Sequence, residues 1–532
     1  MSKAPNETTH LLAENPADQD RYFSGDRASP AATLIDDPES SSSTTETATG
    51  PFEPTPAKSP SLLAETGATF LSSAPVILAY ALQNSIQTAS VLIVGRLGQD
   101  ELSAAAFSMM LAMVTGWCVA LGGTTALDTL GSASFTSPTT PRTAVSAHLQ
   151  RCIVILHVLL IPVIFLWVFS APVLRLLGQE EQLCVDVQRF LRVLIVGAPG
   201  YICFESLKKY LQCQGILQLS TIILVFTSPI NIGLNYVLVH YTALGFLGSP
   251  LAISITYWIS FFALAFCSAF SPQHKANGTW GGLLPIGTLL AWRPCWEFVK
   301  LAIPGIIMVG TEWWAFEIVA IAAGRLGSLP LAAQSVIMTT DQVLNTIPFG
   351  IGVAASQRVG NAIGAEDAKS ASRAGHAAAL LSVILGALIM TIMIATKDVF
   401  GYLFSDEVDV VRLVSVVMPL VASFQIADGL AGSCGGTLRG QGRQHLGAIF
   451  NIVAYYVIAL PLGIFLAFKR SQGLYGLWVG QVVALYLVGA SEYAVVWLWT
   501  NWEGEVDRGR MRAAIEDAVR KVPVGVSLGA SA

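Results

Sequence analysis

Twelve stretches of about 20 mostly apolar residues, each long enough to cross the hydrocarbon core of a bilayer as a helix, govern what this 532-residue chain can become. They are read at approximately 70 to 94, 104 to 127, 149 to 170, 187 to 207, 216 to 239, 245 to 270, 296 to 323, 332 to 355, 376 to 396, 410 to 434, 446 to 468 and 474 to 499. In lipid the backbone must satisfy its own hydrogen bonds, so such runs permit a helical bundle. The expected class is an all-α membrane protein with twelve transmembrane helices. Charge agrees with this, because only 12% of residues are charged against about 25% in a soluble domain. Residues 67 to 500 hold 19 acidic and 21 basic side chains. That near-neutral core argues against a nucleic-acid partner, which needs clustered positive charge.

The two ends read differently. Residues 1 to 66 carry eleven acidic and four basic side chains among many Ser, Thr and Pro, and such a segment cannot bury enough apolar surface to offset its ordering entropy. It is expected to be a disordered cytosolic tail. It has no apolar h-region of the signal-peptide kind, so the first helix is expected to serve as the insertion signal. Residues 501 to 532, with five charges of each sign, are assigned as a C-terminal tail. An even number of spans puts both tails on one side. Twelve of the 21 basic residues of the core fall in or beside the tail-side loops, a bias toward cytosolic tails. Within the first tail, Glu7-Thr-Thr-His-Leu11-Leu12 has the form of an acidic dileucine, the peptide that sorting adaptors read. The expected location is a vacuolar or lysosomal membrane, or the plasma membrane.

An internal repeat organises the core. Residues 75 to 131 align without a gap on residues 304 to 360 at an offset of 229, pairing Pro75 with Pro304, Gly95-Arg96-Leu97-Gly98 with Gly324-Arg325-Leu326-Gly327, Leu102 with Leu331, Gly123 with Gly352 and Gly131 with Gly360. A second match, at offset 227, sets Leu211-Gln212-Cys213-Gln214-Gly215 against Leu438-Arg439-Gly440-Gln441-Gly442. The chain reads as two six-helix lobes, 67 to 271 and 296 to 500, joined by a cytosolic loop at 272 to 295. Because six is even, the copies are parallel and pseudo-symmetric about the membrane normal. Transporters with such halves bind substrate between them and rock one half against the other.

Ionisable side chains deep in a span cost about 2.5 to 3.5 kcal/mol each on insertion scales, so each one asks for a role. Those read inside spans are Glu205, Glu312, Glu317, Asp341, Asp428 and Glu492, with Asp128 at a helix end. Glu205 is followed by Lys208 and Lys209, which favours a helical i, i+3 or i+4 pair. Glu492 has no basic neighbour in sequence, and its role stays open. Glu312 lies mid-span beside Trp313 and Trp314, with no Lys or Arg between Lys300 and Arg325. Desolvation there disfavours the charged form, which makes Glu312 a candidate to bind and release a proton or to attract an organic cation. Glu317 is about 140° further round the helix, so one of the two is expected to line a cavity and the other to meet a neighbouring helix. Asp428 stands among Gly429, Gly432, Gly435 and Gly436, where helices can approach closely. The aromatic Trp313, Trp314, Phe316, Tyr455 and Tyr456 suit a flat or cationic ligand. Prolines within spans, at 75, 199, 229, 304, 348, 419 and 461, fit a domain that bends between two states.

Enzymatic signatures are missing. The sequence has no HExxH, GxSxG, Walker A or Rossmann fingerprint, and its eight cysteines are scattered without a CxxC pair. No enzyme activity, cofactor or metal is expected. With no nucleotide-binding loop to power transport, an ion gradient is the remaining source of energy.

Several motifs resemble the multidrug and toxin extrusion (MATE) family, particularly its eukaryotic, fungal-like branch. They are Pro304-Gly-Ile-Ile-Met-Val-Gly-Thr-Glu312-Trp-Trp-Ala-Phe-Glu317, Ala332-Ala-Gln334-Ser335, Val353-Ala-Ala-Ser356-Gln-Arg358-Val-Gly-Asn361, Gly435-Gly-Thr-Leu-Arg439-Gly-Gln-Gly-Arg-Gln444 and Ala126-Leu-Asp128-Thr-Leu130. The resemblance spans roughly 67 to 500. It implies a V-shaped pair of lobes and cation-coupled export of drug-like substrates, in eukaryotic members usually by proton exchange. Carried over by position, Glu312 and Glu317 match acids the family needs for transport, and Asp428 stands where relatives often have Glu. Asp341, Gln334, Asn361, Trp313, Tyr455 and Tyr456 are further candidates. Many prokaryotic members have a helix 1 Asp where this chain has Ser90, so coupling is expected to rest on the C-terminal lobe. A helix 8 acid of some animal relatives appears here as Thr339, with Asp341 two residues on. The helix 2 motif continues as Gly131-Ser-Ala-Ser134, without the Cys and Gln usual there.

The expected function is therefore a proton-coupled antiporter that exports or sequesters organic cations and other drug-like or metabolite compounds. The alternatives are a lipid or lipid-linked sugar flippase of related fold, for which few basic residues occur mid-span, and a non-transporting membrane receptor, which the full duplication disfavours.

Overall fold

The chain is represented by a computed structural model that describes residues 61 to 521. Glu7, Leu11 and Leu12 lie outside the described residues. Among those described, every regular element is helical.

Ten helices are long and apolar enough to cross a bilayer. They are α1 (Leu62–Val94), α2 (Gln99–Thr136), α3 (Ala144–Val168), α5 (Gln218–His240), α6 (Gly245–Phe270), α7 (Trp292–Leu326), α9 (Ala368–Leu403), α10 (Val408–Gln441), α11 (Gln444–Lys469) and α12 (Gly473–Trp499). A further crossing, α4, is the pair Glu181–Leu194 and Ala198–Cys213, bent by 53°. The remaining predicted span is α8, made of Ser328–Leu344 and Thr346–Gly364 with Asn345 at the break. A last helix, α13 (Trp502–Lys521), occupies the segment that its charge had assigned to a tail. The first helix also starts earlier than the apolar run, because the Ser61 hydroxyl accepts from the Ala64 amide at 3.3 Å and caps it.

Side chains sort by what covers them. On α3, Val158, Ile161 and Phe165 recur on one face and are 57%, 50% and 62% exposed, the mark of a surface solvated by lipid. Inside the bundle, where lipid offers no hydrophobic drive for helices to associate, close packing of small residues does that work. A Cβ on Gly122 of α2 would lie 2.4 Å from the Ile306 Cα of α7, so these two helices touch backbone to backbone across the lobes. Of the seven span prolines, Pro75, Pro229, Pro304 and Pro419 sit inside helices. Pro199 and Pro348 fall within the first three residues of a helical segment, where a missing N–H costs little. Pro461 follows the π-helical stretch Ile452–Ala459.

The connecting loop 272 to 295 is anchored to the N-terminal lobe. Tyr210 of α4 meets His274 at 3.0 Å and Thr279 at 2.8 Å. Burial holds the His274 imidazole below its ordinary range.

Candidate functional site

The C-terminal lobe holds a small cavity of about 50 Å³ between α7, α8, α10, α11 and α12. Glu312 and Trp313 reach it from α7, Asn345 from the break in α8, Asp428 and Arg439 from α10, Tyr455 from α11 and Glu492 from α12. The Asn345 amide donates to Asp428 at 3.4 Å. The turn of α7 that carries Glu312 is pinned to α11 twice, by Asn451 donating to the Met308 carbonyl at 2.7 Å and by Tyr456 donating to the Thr311 carbonyl at 3.0 Å. Tyr455 and Tyr456 belong to a π-helical stretch; Tyr455 lines the cavity and Tyr456 reaches α7. Arg439 is the basic side chain among the lining residues.

Three carboxyls beside one guanidinium make an unbalanced set. If all three were ionised, two negative charges would go without a partner, and an unpaired buried charge costs several kcal/mol. The lining carries more acidic than basic side chains.

The other predicted candidates lie elsewhere. Glu317 is half-buried on α7 and does not line the cavity. Asp341 is buried on α8 and is not among the cavity-lining residues. Gln334 accepts from the Trp478 indole at 2.7 Å, in the apolar core of the lobe. Thr339 is bonded to its own helix at the Ser335 carbonyl. Asn361 belongs to the seam between lobes: its carbonyl accepts from Thr136 at 2.6 Å, and its side-chain amide, turned to satisfy its neighbours, donates to the Ser132 carbonyl at 2.9 Å.

The N-terminal lobe carries a different polar cluster. Lys208 and Glu205 form the expected i, i+3 pair at 2.7 Å, but both are fully buried rather than at the interface with water. Gln83 donates to Glu205 at 2.8 Å and accepts from Lys208 at 2.9 Å, and the Lys208 ammonium lies 3.9 Å from the centre of the Tyr80 ring. Lys209 turns away to Asp128, at 3.0 and 3.1 Å. Ser90 sits in a neutral network, accepting from Asn231 at 3.2 Å and Asn235 at 2.9 Å.

The lobes are locked near the helix ends that face residues 61 and 521. Arg358 of α8 grips Glu65 of α1 at 2.5 Å. The Thr129 hydroxyl of α2 donates to the Arg439 carbonyl at 2.5 Å and accepts from Gln444 at 3.0 Å. Helix α13 reinforces that end, with Arg512 donating to the Gln441 carbonyl at 2.8 Å and Arg510 paired with Glu366. The Arg510 guanidinium holds the Glu366 carboxyl below its ordinary range. Deeper in, Trp314 of α7 donates to the Val114 carbonyl of α2 at 2.8 Å.

Two copies of the MatE family profile match the chain, over residues 75–237 and 304–465. The chain belongs to the MATE family. Each match starts at one of the two prolines, Pro75 and Pro304, that the internal repeat pairs. Among curated proteins this MATE chain is 39% identical over 437 residues to an uncharacterized transporter of Schizosaccharomyces pombe, covering 81% of this chain and 79% of that one. It is 34% identical to multidrug and toxin extrusion protein 2 of Mus musculus, over 89% of this chain and 81% of the other. Among solved structures it is similar to the eukaryotic MATE transporter AtDTX14, with a TM-score of 0.79 and 30% identity, covering 85% of this chain and 99% of that one. It is thus a multi-pass membrane transporter of the MATE fold.

Besides Glu492, three polar lining residues had not been assigned to the site from sequence. Arg439 had been counted among tail-side loop charges, and Asn345 and Asn451 carry no local signal. Glu492 had been noted as a charge without a partner, and packing of α12 on α10 supplies its setting. The one available sign for Arg439 was its place at the end of a glycine-rich helix.

Proposed function

We propose that this MATE transporter is a proton-coupled antiporter exporting or sequestering organic cations and other drug-like or metabolite compounds by alternating access. The observation that carries the reading is the convergence of Glu312, Asp428 and Glu492 on one cavity beside Arg439. Protonation and substrate are alternative ways to balance the same excess of negative charge, so each disfavours the other. Coupling needs that difference in affinity between states. The substrate class follows from the cavity's sign and aromatic lining and from the name of the mouse relative. The seam contacts make the described arrangement closed toward the tails, as one end state of a rocking cycle would be. Asp341 and Glu317 fit supporting roles. Sorting through Glu7, Leu11 and Leu12 to an acidic organelle fits such an exchanger, since the organelle supplies the gradient.

The test is uptake of a fluorescent organic cation, ethidium, into vesicles with an acidic interior. Wild-type chain accumulates it and Glu312→Gln does not. Accumulation by Glu312→Gln at the wild-type level would contradict the reading.

A further inference from the structure

Arg439 belongs to two sites at once. It lines the C-terminal cavity with Glu312, Asp428 and Glu492, and its Nε faces the Asp128 carboxylate of the other lobe at 3.8 Å. That separation is an ion pair but too long for a hydrogen bond, and Nε makes none among the described residues. Behind Asp128 stands Lys209, which holds the carboxylate through both oxygens. Arg439 is 5% exposed and Asp128 2%, so the attraction is little screened. The guanidinium is therefore loosely tied at the seam, with a stronger competitor for Asp128 on one side and carboxyls on the other.

The groups around Arg439 come from several helices, α11 among them with the Tyr455 phenol that lines the same cavity. From α2 come Asp128 and the Thr129 hydroxyl, which fixes the Arg439 carbonyl. Helix α4 brings Lys209, and α1 brings the Tyr80 phenol, which feels both Asp128 and Arg439. Helices α7 and α12 bring Glu312 and Glu492, and α10 itself brings Asp428. Helix α8 meets Arg439 with Gly352, where a Cβ would lie 2.9 Å from Nη2. The missing side chain leaves the guanidinium room to turn.

We propose that Arg439 is the positioning residue that passes the charge state of the acid cluster to the lobe seam. With the carboxyls protonated, Asp128 is the only anion it faces, and the guanidinium bridges the lobes. When Glu312 or Glu492 loses its proton, the new carboxylate draws Arg439 into the C-terminal cavity. Asp128 is left to Lys209, and the tail-side seam loses a contact that crosses it.

This inference rests on the proton-coupled reading, and its test separates the two. In vesicles carrying the full chain, Asp128→Asn, which lies outside the cavity lining, is expected to keep ethidium exchange at equal pH on both sides, and it and Arg439→Gln are both read for accumulation. Accumulation driven by a pH gradient should fall about tenfold or more, the scale of a coupling free energy, and its pH profile should flatten. Arg439→Lys, which keeps the charge, should restore much of both. A wild-type pH profile in Arg439→Gln and Asp128→Asn would overturn the proposal. If Glu312→Gln abolishes accumulation while Arg439→Gln does not, only the present inference falls; if Glu312→Gln leaves it intact, the underlying reading falls too. Should the Arg439 variants fail to fold, cysteines placed at Thr136 and Asn361 report the seam directly. Cross-linking by a short bismaleimide, divided at each pH by the rate at which a one-headed maleimide labels the same cysteines, should slow as pH rises, and a ratio that does not change with pH would overturn the proposal as well.

Discussion

At the offset of 229 that relates the two halves, Glu312 of the C-terminal lobe corresponds to Gln83 of the N-terminal lobe; at offset 227, Asp428 corresponds to Tyr201 and Gly432 to Glu205. The same two helix positions thus support opposite chemistries. In the N-terminal lobe Gln83, Tyr201, Glu205 and Lys208 form a closed set in which the buried anion has a cation at 2.7 Å. In the C-terminal lobe the matching helices present acids around a cavity, with a guanidinium that is shared across the seam. A balanced cluster holds a lobe rigid, while an unbalanced one can exchange a proton for a cation. One duplicated frame thus has a half whose buried charges are paired and a half whose acids outnumber its bases.

The largest expected effect breaks the balanced cluster. Lys208→Met strands Glu205 as an unpaired buried charge, which should destabilise the chain by about 3 to 5 kcal/mol and lower its melting temperature in detergent. The double variant with Glu205→Leu should recover much of that loss, because exchanging a whole buried pair for apolar groups is often near neutral. Next in size, Asp428→Asn should leave melting close to wild type and instead reduce gradient-driven accumulation by roughly 5- to 150-fold, the range of coupling free energies of 1 to 3 kcal/mol. If Lys208→Met lost coupling without losing stability, the division between lobes would be wrong.

Thr129→Val tests the seam between them. It removes a hydrogen bond to the Arg439 carbonyl and another from Gln444, and should cost the tail-closed arrangement about 1 kcal/mol, read as slower cross-linking between the lobes. The smallest effect belongs to the exposed Glu366–Arg510 pair. Its carboxyl is held below the ordinary range, so the pair contributes stability above the usual carboxylate range and loses it as pH falls through the lowered value. The small melting difference between wild type and Arg510→Ala should therefore vanish in acid.

Much of this contrast was legible in the sequence. Apolar runs gave the helices, since lipid leaves the backbone no other partner, and the repeat gave the two lobes. The placement of Glu312 beside tryptophans, far from any basic residue, marked it before any contact was known. What stayed hidden depended on distant packing. Asp128 and Arg439 are more than 300 residues apart and meet only when α2 and α10 pack together at the tail-side end. Arg439 looked like a loop charge because it stands two residues from the end of its helix. Helix α13 carries charges of both signs, and composition alone does not distinguish a docked polar helix from a tail.

The central claim is that the proton is handled by the acids of the C-terminal lobe. The direct measurement is proton release when ethidium binds to the purified protein in weakly buffered solution. Wild type should release protons, Glu312→Gln and Asp428→Asn should release fewer, and Gln83→Met in the N-terminal lobe should release as many as wild type. Undiminished release from Glu312→Gln and Asp428→Asn, with release lost in Gln83→Met, would contradict the account.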